Sequence, residues 1–491
     1  MSRMAVWIDR IVLLRPVAAL LIALAFSYAA GLYVVTAPRQ LRWLLFISLF
    51  IGFYAFSIRK PRATIIGMFL FLPFMGLIRR FLIPYMGWAT FDPLVVLVPS
   101  VLGLMGFVWY YRRYFQGITE LNDTIIFKLV RVLMIIHFIQ IFNPLQGSLL
   151  TGLGGVIFYI IPLLWMFVSR EHFDEELMKK FLGLLLFIGC LGALYGLKQI
   201  YLGYYPFEEM WIRMAGYNSL NVGAVVRAVS TFTSSNEYAA FLVISLIIAI
   251  AYLLRGTMKL KVIAVLSLPL LLYALFMTSQ RAPIFMVLAT IMILLALNAR
   301  KGIGRVVTLL GAGLLVILVY WGITNISHND NDLIAHQVNG LADPFNEEHS
   351  TLGLHLDLLV DGFVRGVIVP VGHGLGSTTL AASKLGGNGG SSEVDISNIL
   401  ISDGLIGGII YLLLIYHIFR AAISYVRSSQ KNYLAFSLLG ILIASFGSWS
   451  IGGNYSTVAI IWICIGFLDR VTGLHSKGQQ PVTAMGEGRL G

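Results

Sequence analysis

Runs of about 20 mostly apolar residues recur from Leu14 to Phe467, each long enough to cross a bilayer core about 30 Å thick as a helix rising about 1.5 Å per residue. Inside hydrocarbon the backbone has to satisfy its own polar groups, so runs of this length are restricted to helices. Only 12% of the 491 residues are charged and 58% are hydrophobic, whereas soluble domains carry roughly a quarter charged. The expected fold is therefore an all-α polytopic membrane protein. It forms a single integral membrane domain over residues 1–491, with little room for a separate soluble domain. About fourteen spans are expected, centred near Leu24, Phe50, Leu70, Val101, Met134, Phe158, Ile188, Ile244, Leu268, Ile291, Leu314, Tyr411, Leu438 and Ile461. The N-terminus is basic and then apolar like a secretory signal. Its apolar run is long and has no evident small-residue cleavage site, so it reads as a retained first span.

The net charge of +12 does not point to nucleic acid, because the basic residues sit in short loops and form no stripe. They read as topology signals. With Arg3, Arg10 and Arg15 on the cytoplasmic side, every second loop is basic, among them Arg59-Lys60-Pro61-Arg62, Arg112-Arg113, Lys179-Lys180 and Arg427 with Lys431. Arg39, Arg42, Arg79 and Arg80 are exceptions on the opposite side. Both termini are then expected in the cytoplasm, with residues 471–491 as a cytoplasmic tail. The two long polar intervals, 203–236 and 325–398, fall together on the outer side. The second is too long for a mere connector, and its glycine-rich SKLGGNGGSSEVDIS reads as a mobile lid. A transporter would place polar groups at the midplane of repeated, broken helices, and no internal repeat is visible. Cys190 and Cys464 lie inside apolar runs and read as packed thiols.

Arg227, Arg281 and Arg365 stand in three separate outer connections. A single arginine there can simply snorkel to headgroups; three that converge would suit phosphate oxygens, which a guanidinium fork grips in a bidentate way. Arg213 is a weaker fourth. His373, in RGVIVPVGHGLG (Arg365 to Gly376), reads as a base or as a turn residue. Gly374 and Gly376 beside it offer backbone N–H groups for an anion nest. Glu393 and Asp395 read either as helix-start acids or as a general base on the outer rim, with Asp403 a second, buried acid. Lys128, Arg131, His137 and Gln140 share one span as an intramembrane polar seam. His328, His336, His349 and His355 form no zinc spacing, so no metal and no cofactor is assigned. Tyr204, Tyr205, Phe207, Trp211 and Tyr217 suit sugar stacking or an interfacial belt.

RAVSTFTSSNEYAAFL, with Arg227 and Asn236, resembles an element of the bacterial O-antigen polymerase and O-antigen ligase superfamily, and TSQRAPI resembles its Ser-x-Arg-small turn. Arg365 and Gly376 match the family's R-x10-G pattern, and EVDISNILISDGLIGGIIYLL is similar to its Gly-Leu-Ile-Gly helix. Where the ligases carry a His-Asn-type pair this chain has Glu393-Val394, which favours the polymerase branch. Arg213 lacks a glycine at the R-x10-G distance. The resemblance covers roughly the second half of the chain. It implies a GT-C-like membrane glycosyltransferase of the bacterial inner membrane, acting on a polyprenyl-diphosphate-linked glycan as donor and on a second glycan as acceptor. Membrane lipids surround it, and a chain-length regulator is a further partner. It also implies Arg227, Arg281 and Arg365 as the diphosphate clamp, Glu393 first and His373 second as base, and Arg213, Asn236, Gly374, Gly376 and Asp395 as substrate contacts.

Overall fold

A computed structural model of the chain describes residues 40–88, 92–115, 123–216, 220–222, 225–299, 303–325, 332–342, 352–385, 387, 394–428, 432–450 and 453–475. The α-helices of ten residues or more in chain order are α1 (Leu41–Arg59), α2 (Pro61–Phe81), α3 (Leu97–Phe115), α4 (Ile125–Gln140), α5 (Leu149–His172), α6 (Glu175–Tyr201), α7 (Pro206–Ala215) and α8 (Ser235–Arg255). They continue with α9 (Met258–Met277), α10 (Arg281–Asn298), α11 (Ile303–Thr324), α12 (Asp332–Ala342), α13 (Leu352–Ile368), α14 (Asp395–Ser428), α15 (Tyr433–Ala444) and α16 (Tyr455–His475). One antiparallel hairpin, β1 (Asn221–Val222) with β2 (Val225–Val226), is the sheet content of the described residues.

Ten of the described helices are long and apolar enough to cross a membrane, so the chain is a polytopic membrane protein. They coincide with ten of the expected spans. Met134, Leu314 and Leu438 fall instead in α4, α11 and α15, and Leu24 lies outside the described residues. Helix α15 has 12 residues, about 18 Å of rise, too little for a full crossing.

At the centre stands α8, whose apolar window is 83% buried; α6, α9, α10, α15 and α16 pack around it. Lipid gives such helices no hydrophobic reason to associate, so close approach of small residues matters. Its Ser245 accordingly meets Gly189 of α6. Ser234 caps the start of α8, its Oγ accepting from Glu237 N, and Glu237 Oε2 accepts from Thr233 N just ahead of the cap. The other oxygen of Glu237 accepts from Ser456 N at 2.7 Å and Ser456 Oγ at 2.6 Å, which ties α8 to α16.

Two irregular segments, one from each of the two long polar intervals, enter the bundle. The first, residues 228–234, lies against α2 at Gly76, where a Cβ would stand 2.0 Å from Phe232 O; no residue but glycine fits. Gln199 Oε1 accepts from Val229 N and Ser230 N, and the buried Arg80 donates to Phe232 O and Ser230 O. This explains one of the arginines that break the charge pattern. Arg42 and Arg79 are explained as well, since both pair with Asp92.

The second segment, residues 369–379, fills a break in α14. Gly404, with φ 71° and ψ −167°, separates a half-helix ending at Asp403 from the long arm that follows. The carbonyls freed by the break are met from the segment: His373 N donates to Ile401 O and Gly374 N to Ser402 O, while Leu405 N donates to Pro370 O. Backbone of this kind is tolerated at membrane depth only when protein covers it. The half-helix folds back far enough for Tyr411 OH to reach Asp395 Oδ2 at 3.3 Å.

The polar seam on α4 resolves into two ends. Arg131 faces Asp123 at 3.4 Å, whereas His137 contacts Asp403 at 2.9 Å and Gln140 donates to Val371 O at 2.6 Å. Lys128 is exposed.

Candidate functional site

Arg227 follows directly on the small hairpin, whose register pairs Asn221 with Val226. Arg227 N donates to Leu220 O at 2.7 Å and Tyr204 OH donates to Arg227 O at 2.8 Å, so its backbone is held on both sides. Arg281 opens α10 after a very short connection in which Ser279 takes φ 56°. That strained turn is clamped by α12: Ser279 Oγ donates to Leu333 O at 3.1 Å, and Gln337 Nε2 donates to Gln280 O at 3.1 Å.

Between these two anchors of α12 lies His336. Its Nε2 stands 3.2 Å from an Nη of Arg227 and 2.8 Å from an Nη of Arg281, which bounds the separation of the two guanidinium nitrogens at about 6 Å. Arginine can only donate, so a hydrogen bond in either contact uses Nε2 as the acceptor, which is the tautomer with the proton on Nδ1. The two long polar intervals thus meet at one point, Arg227 coming from the first and His336 from the second. Burial, and then the positive charge of Arg281, push the Arg227 guanidinium below its ordinary pKa. An anion lodged between the two arginines would relieve that repulsion.

The other expected residues stand elsewhere. Arg365 lies on α13, exposed, and pairs with Asp361 one turn back at 2.8 Å; Arg227 and Arg281 share a partner, and Arg365 has a different one. Arg213 is exposed on α7, 3.9 Å from Glu209. Asn236 is exposed at the start of α8. Glu393 lies outside the described residues. Asp395 is buried at the start of α14, where Oδ2 accepts from Ser450 N at 3.1 Å and also from Trp449 N; it anchors the loop between α15 and α16.

The anion nest expected at Gly374 and Gly376 is filled by the protein itself. Gly374 N bonds Ser402 O, Leu375 N bonds Gln140 O, and Gly376 N bonds Gln146 Oε1 at 3.1 Å. The His373 ring lies against Ile401 O, with Nδ1 at 3.2 Å. These residues seal the broken helix, and that is the physical reason for glycines at close quarters there. Among the aromatics, Tyr205 stacks on Phe207 with ring centroids 5.8 Å apart, and Trp211 lies under the Arg80 guanidinium at 5.2 Å.

His336 is the residue that sequence reasoning misses. Its spacing excludes it from a zinc site, and nothing in its neighbourhood, NDLIAHQVNGLA, marks it out for another role. Among the described residues no group of three or more His, Cys, Asp or Glu side chains is placed to hold a metal ion. No protein-family model matches the chain, and a search of curated proteins finds no match.

Proposed function

We propose that the chain is a bacterial inner-membrane glycosyltransferase that joins polyprenyl-diphosphate-linked oligosaccharide units on the outer face. The observation that carries this reading is the convergence of Arg227 and Arg281 on His336 Nε2. Two guanidiniums whose nearest nitrogens are held about 6 Å apart or less suit the two phosphates of a lipid diphosphate, and a neutral imidazole between them suits a general base.

In the proposed reaction the donor diphosphate draws the two arginines onto its own oxygens and frees the lone pair of His336. An acceptor sugar hydroxyl gives its proton to Nε2 as its oxygen bonds to the anomeric carbon. The bond from that carbon to the phosphate oxygen breaks, and the charge growing on the leaving diphosphate is met by Arg227 and Arg281. Preorganised donors of this kind are the largest ordinary catalytic contribution where water is excluded. His336 takes the role that the family resemblance suggested for Glu393 or His373, because it is the basic group in contact with the arginines.

A ligase, which would pass the glycan to a lipid-A core sugar, gains support from the same histidine, since a missing histidine was the feature that favoured the polymerase branch. The discriminating experiment incubates the purified protein with a polyprenyl-diphosphate-linked repeat unit alone and resolves products by size, beside Arg281→Gln. A ladder lost in the variant supports polymerisation. Transfer only after core acceptor is added means a ligase, and binding without any glycosidic product means a lipid-linked-glycan transporter.

A further inference from the structure

Helix α13 belongs to a polar interval of the sequence, yet one of its sides is apolar and uncovered. At 3.6 residues per turn, about 100° per residue, its side chains sort onto three sides. Gly362 and Gly366 take the first and lie on α14: a Cβ at Gly362 would collide with Ser397 Oγ, and one at Gly366 would stand 3.1 Å from Leu400 Cβ. Ser397 Oγ also donates to Leu358 O at 2.8 Å. Small residues four apart permit so close an approach. Leu356, Val360, Phe363, Val364 and Val367 fall within about 100° on the second side, and all five are exposed, Val360 by 61% and Val367 by 63%. Asp357, Asp361 and Arg365 run along the third, one turn apart from each other.

Neither water nor a full crossing suits that arrangement. In water the second side would form a contiguous apolar patch of a kind that soluble surfaces rarely carry. In a crossing orientation the row of Asp357, Asp361 and Arg365 would lie in hydrocarbon, where charged side chains are costly. The 17 residues of α13 also rise only about 25 Å, short of a bilayer core about 30 Å thick. A helix with one apolar and one polar flank rests instead in the membrane interface, its apolar flank about 5–10 Å into the boundary between headgroups and acyl chains.

The chain beyond α13 continues the apolar surface. Val371 is exposed, its carbonyl accepts from Gln140 Nε2 at 2.6 Å, and Leu405 N donates to Pro370 O at 3.1 Å. These bonds bring the flank to the start of the long arm of α14, where Ile406, Ile409 and Leu413 are exposed on a helix long and apolar enough to cross a membrane. On a crossing helix such a row faces lipid.

We infer that α13 is a membrane-surface helix, with Leu356, Val360, Phe363, Val364 and Val367 among the acyl chains of one leaflet and its charged row at the headgroups. The charges of Asp357, Asp361 and Arg365 sum to −1 (two acids, one base), so the attachment is to acyl chains and not to anionic headgroups. Because α13 grips the half-helix through Gly362 and Gly366, the same lipid contact braces the break at Gly404.

The test places nitroxide labels on Val360→Cys, Val367→Cys, Asp357→Cys and Asp361→Cys, each in the full chain carrying Cys190→Ala and Cys464→Ala, in phosphatidylcholine nanodiscs with and without phosphatidylglycerol. Labels at 360 and 367 are expected to be relaxed by dissolved oxygen and, relative to 357 and 361, to be shielded about tenfold from a water-soluble nickel chelate in both lipids. Equal nickel access at all four positions would overturn the inference. Spin–spin broadening that vanishes on dilution with unlabelled chain would assign the flank to a second copy, and shielding that requires phosphatidylglycerol would overturn the acyl-chain attachment. Should the labelled variants not fold, hydroxyl-radical footprinting of the unsubstituted chain decides the matter: Phe363 is expected to stay unmodified in nanodiscs, and its oxidation to the extent of a water-exposed aromatic would defeat the inference.

Discussion

Replacing His336 with glutamine separates a catalytic histidine from a structural one. The glutamine amide oxygen keeps an acceptor for Arg227 and Arg281, which stand 3.2 and 2.8 Å from His336 Nε2 in the wild type, but it cannot take a proton. Loss of a general base costs about 10²- to 10⁴-fold in rate, which at 1.36 kcal/mol per decade is about 3–5 kcal/mol of transition-state stabilisation. A purely structural role would instead be served by glutamine, because both charged hydrogen bonds, worth about 1.5–3 kcal/mol each, are retained. The assay is single-turnover release of polyprenyl diphosphate from labelled donor, read beside the apparent Tm in detergent. We expect His336→Gln to keep Tm within a few degrees and to lose at least a hundredfold in rate, while His336→Ala loses both. A His336→Gln protein turning over within tenfold of wild type would refute the base assignment.

Arg227→Gln and Arg281→Gln should each slow donor cleavage by about 10²- to 10³-fold; the double variant should lose less than the product of the two, because the pair grips one group. A non-hydrolysable lipid diphosphate at a hundred times its Kd should stabilise the wild type by about 2.7 kcal/mol, seen as a raised apparent Tm that the double variant does not show. Arg365→Ala removes an exposed pair with Asp361 and should change stability by less than about 0.5 kcal/mol; a loss of transfer in a normally stable Arg365→Ala would therefore report contact with substrate. Gly404→Ala sets a side chain 2.1 Å from Pro370 O at φ 71°. Left-handed strain and overpacking together predict about 2–6 kcal/mol of destabilisation, to be read from apparent Tm and from the monodisperse fraction on size exclusion.

The membrane spans were legible because the signal is local: a 20-residue apolar run determines its own helical crossing. Arg227 and Arg281 were legible for a related reason, since a guanidinium at the end of an apolar helix is out of place unless something uses it. The outer arginines Arg42, Arg79 and Arg80 contradict the charge rule only until Asp92, Glu208 and the carbonyls of residues 230 and 232 are found beside them. The glycines around His373 were legible as a close approach, but what approaches is the protein's own broken helix.

From the sequence alone follow the membrane class, ten helices long and apolar enough to cross a bilayer, and the two arginines as candidates, all properties of contiguous residues set by the thickness of a bilayer and the cost of charge within it. Tertiary structure alone decided that His336, 109 residues from Arg227 and 55 from Arg281, is their common partner. It also decided that Arg365 is not joined to that partner. Such a contact depends on where α12 lands over the turn at Ser279, and that placement is the sum of packing among elements far apart in the chain, which no short stretch of it encodes.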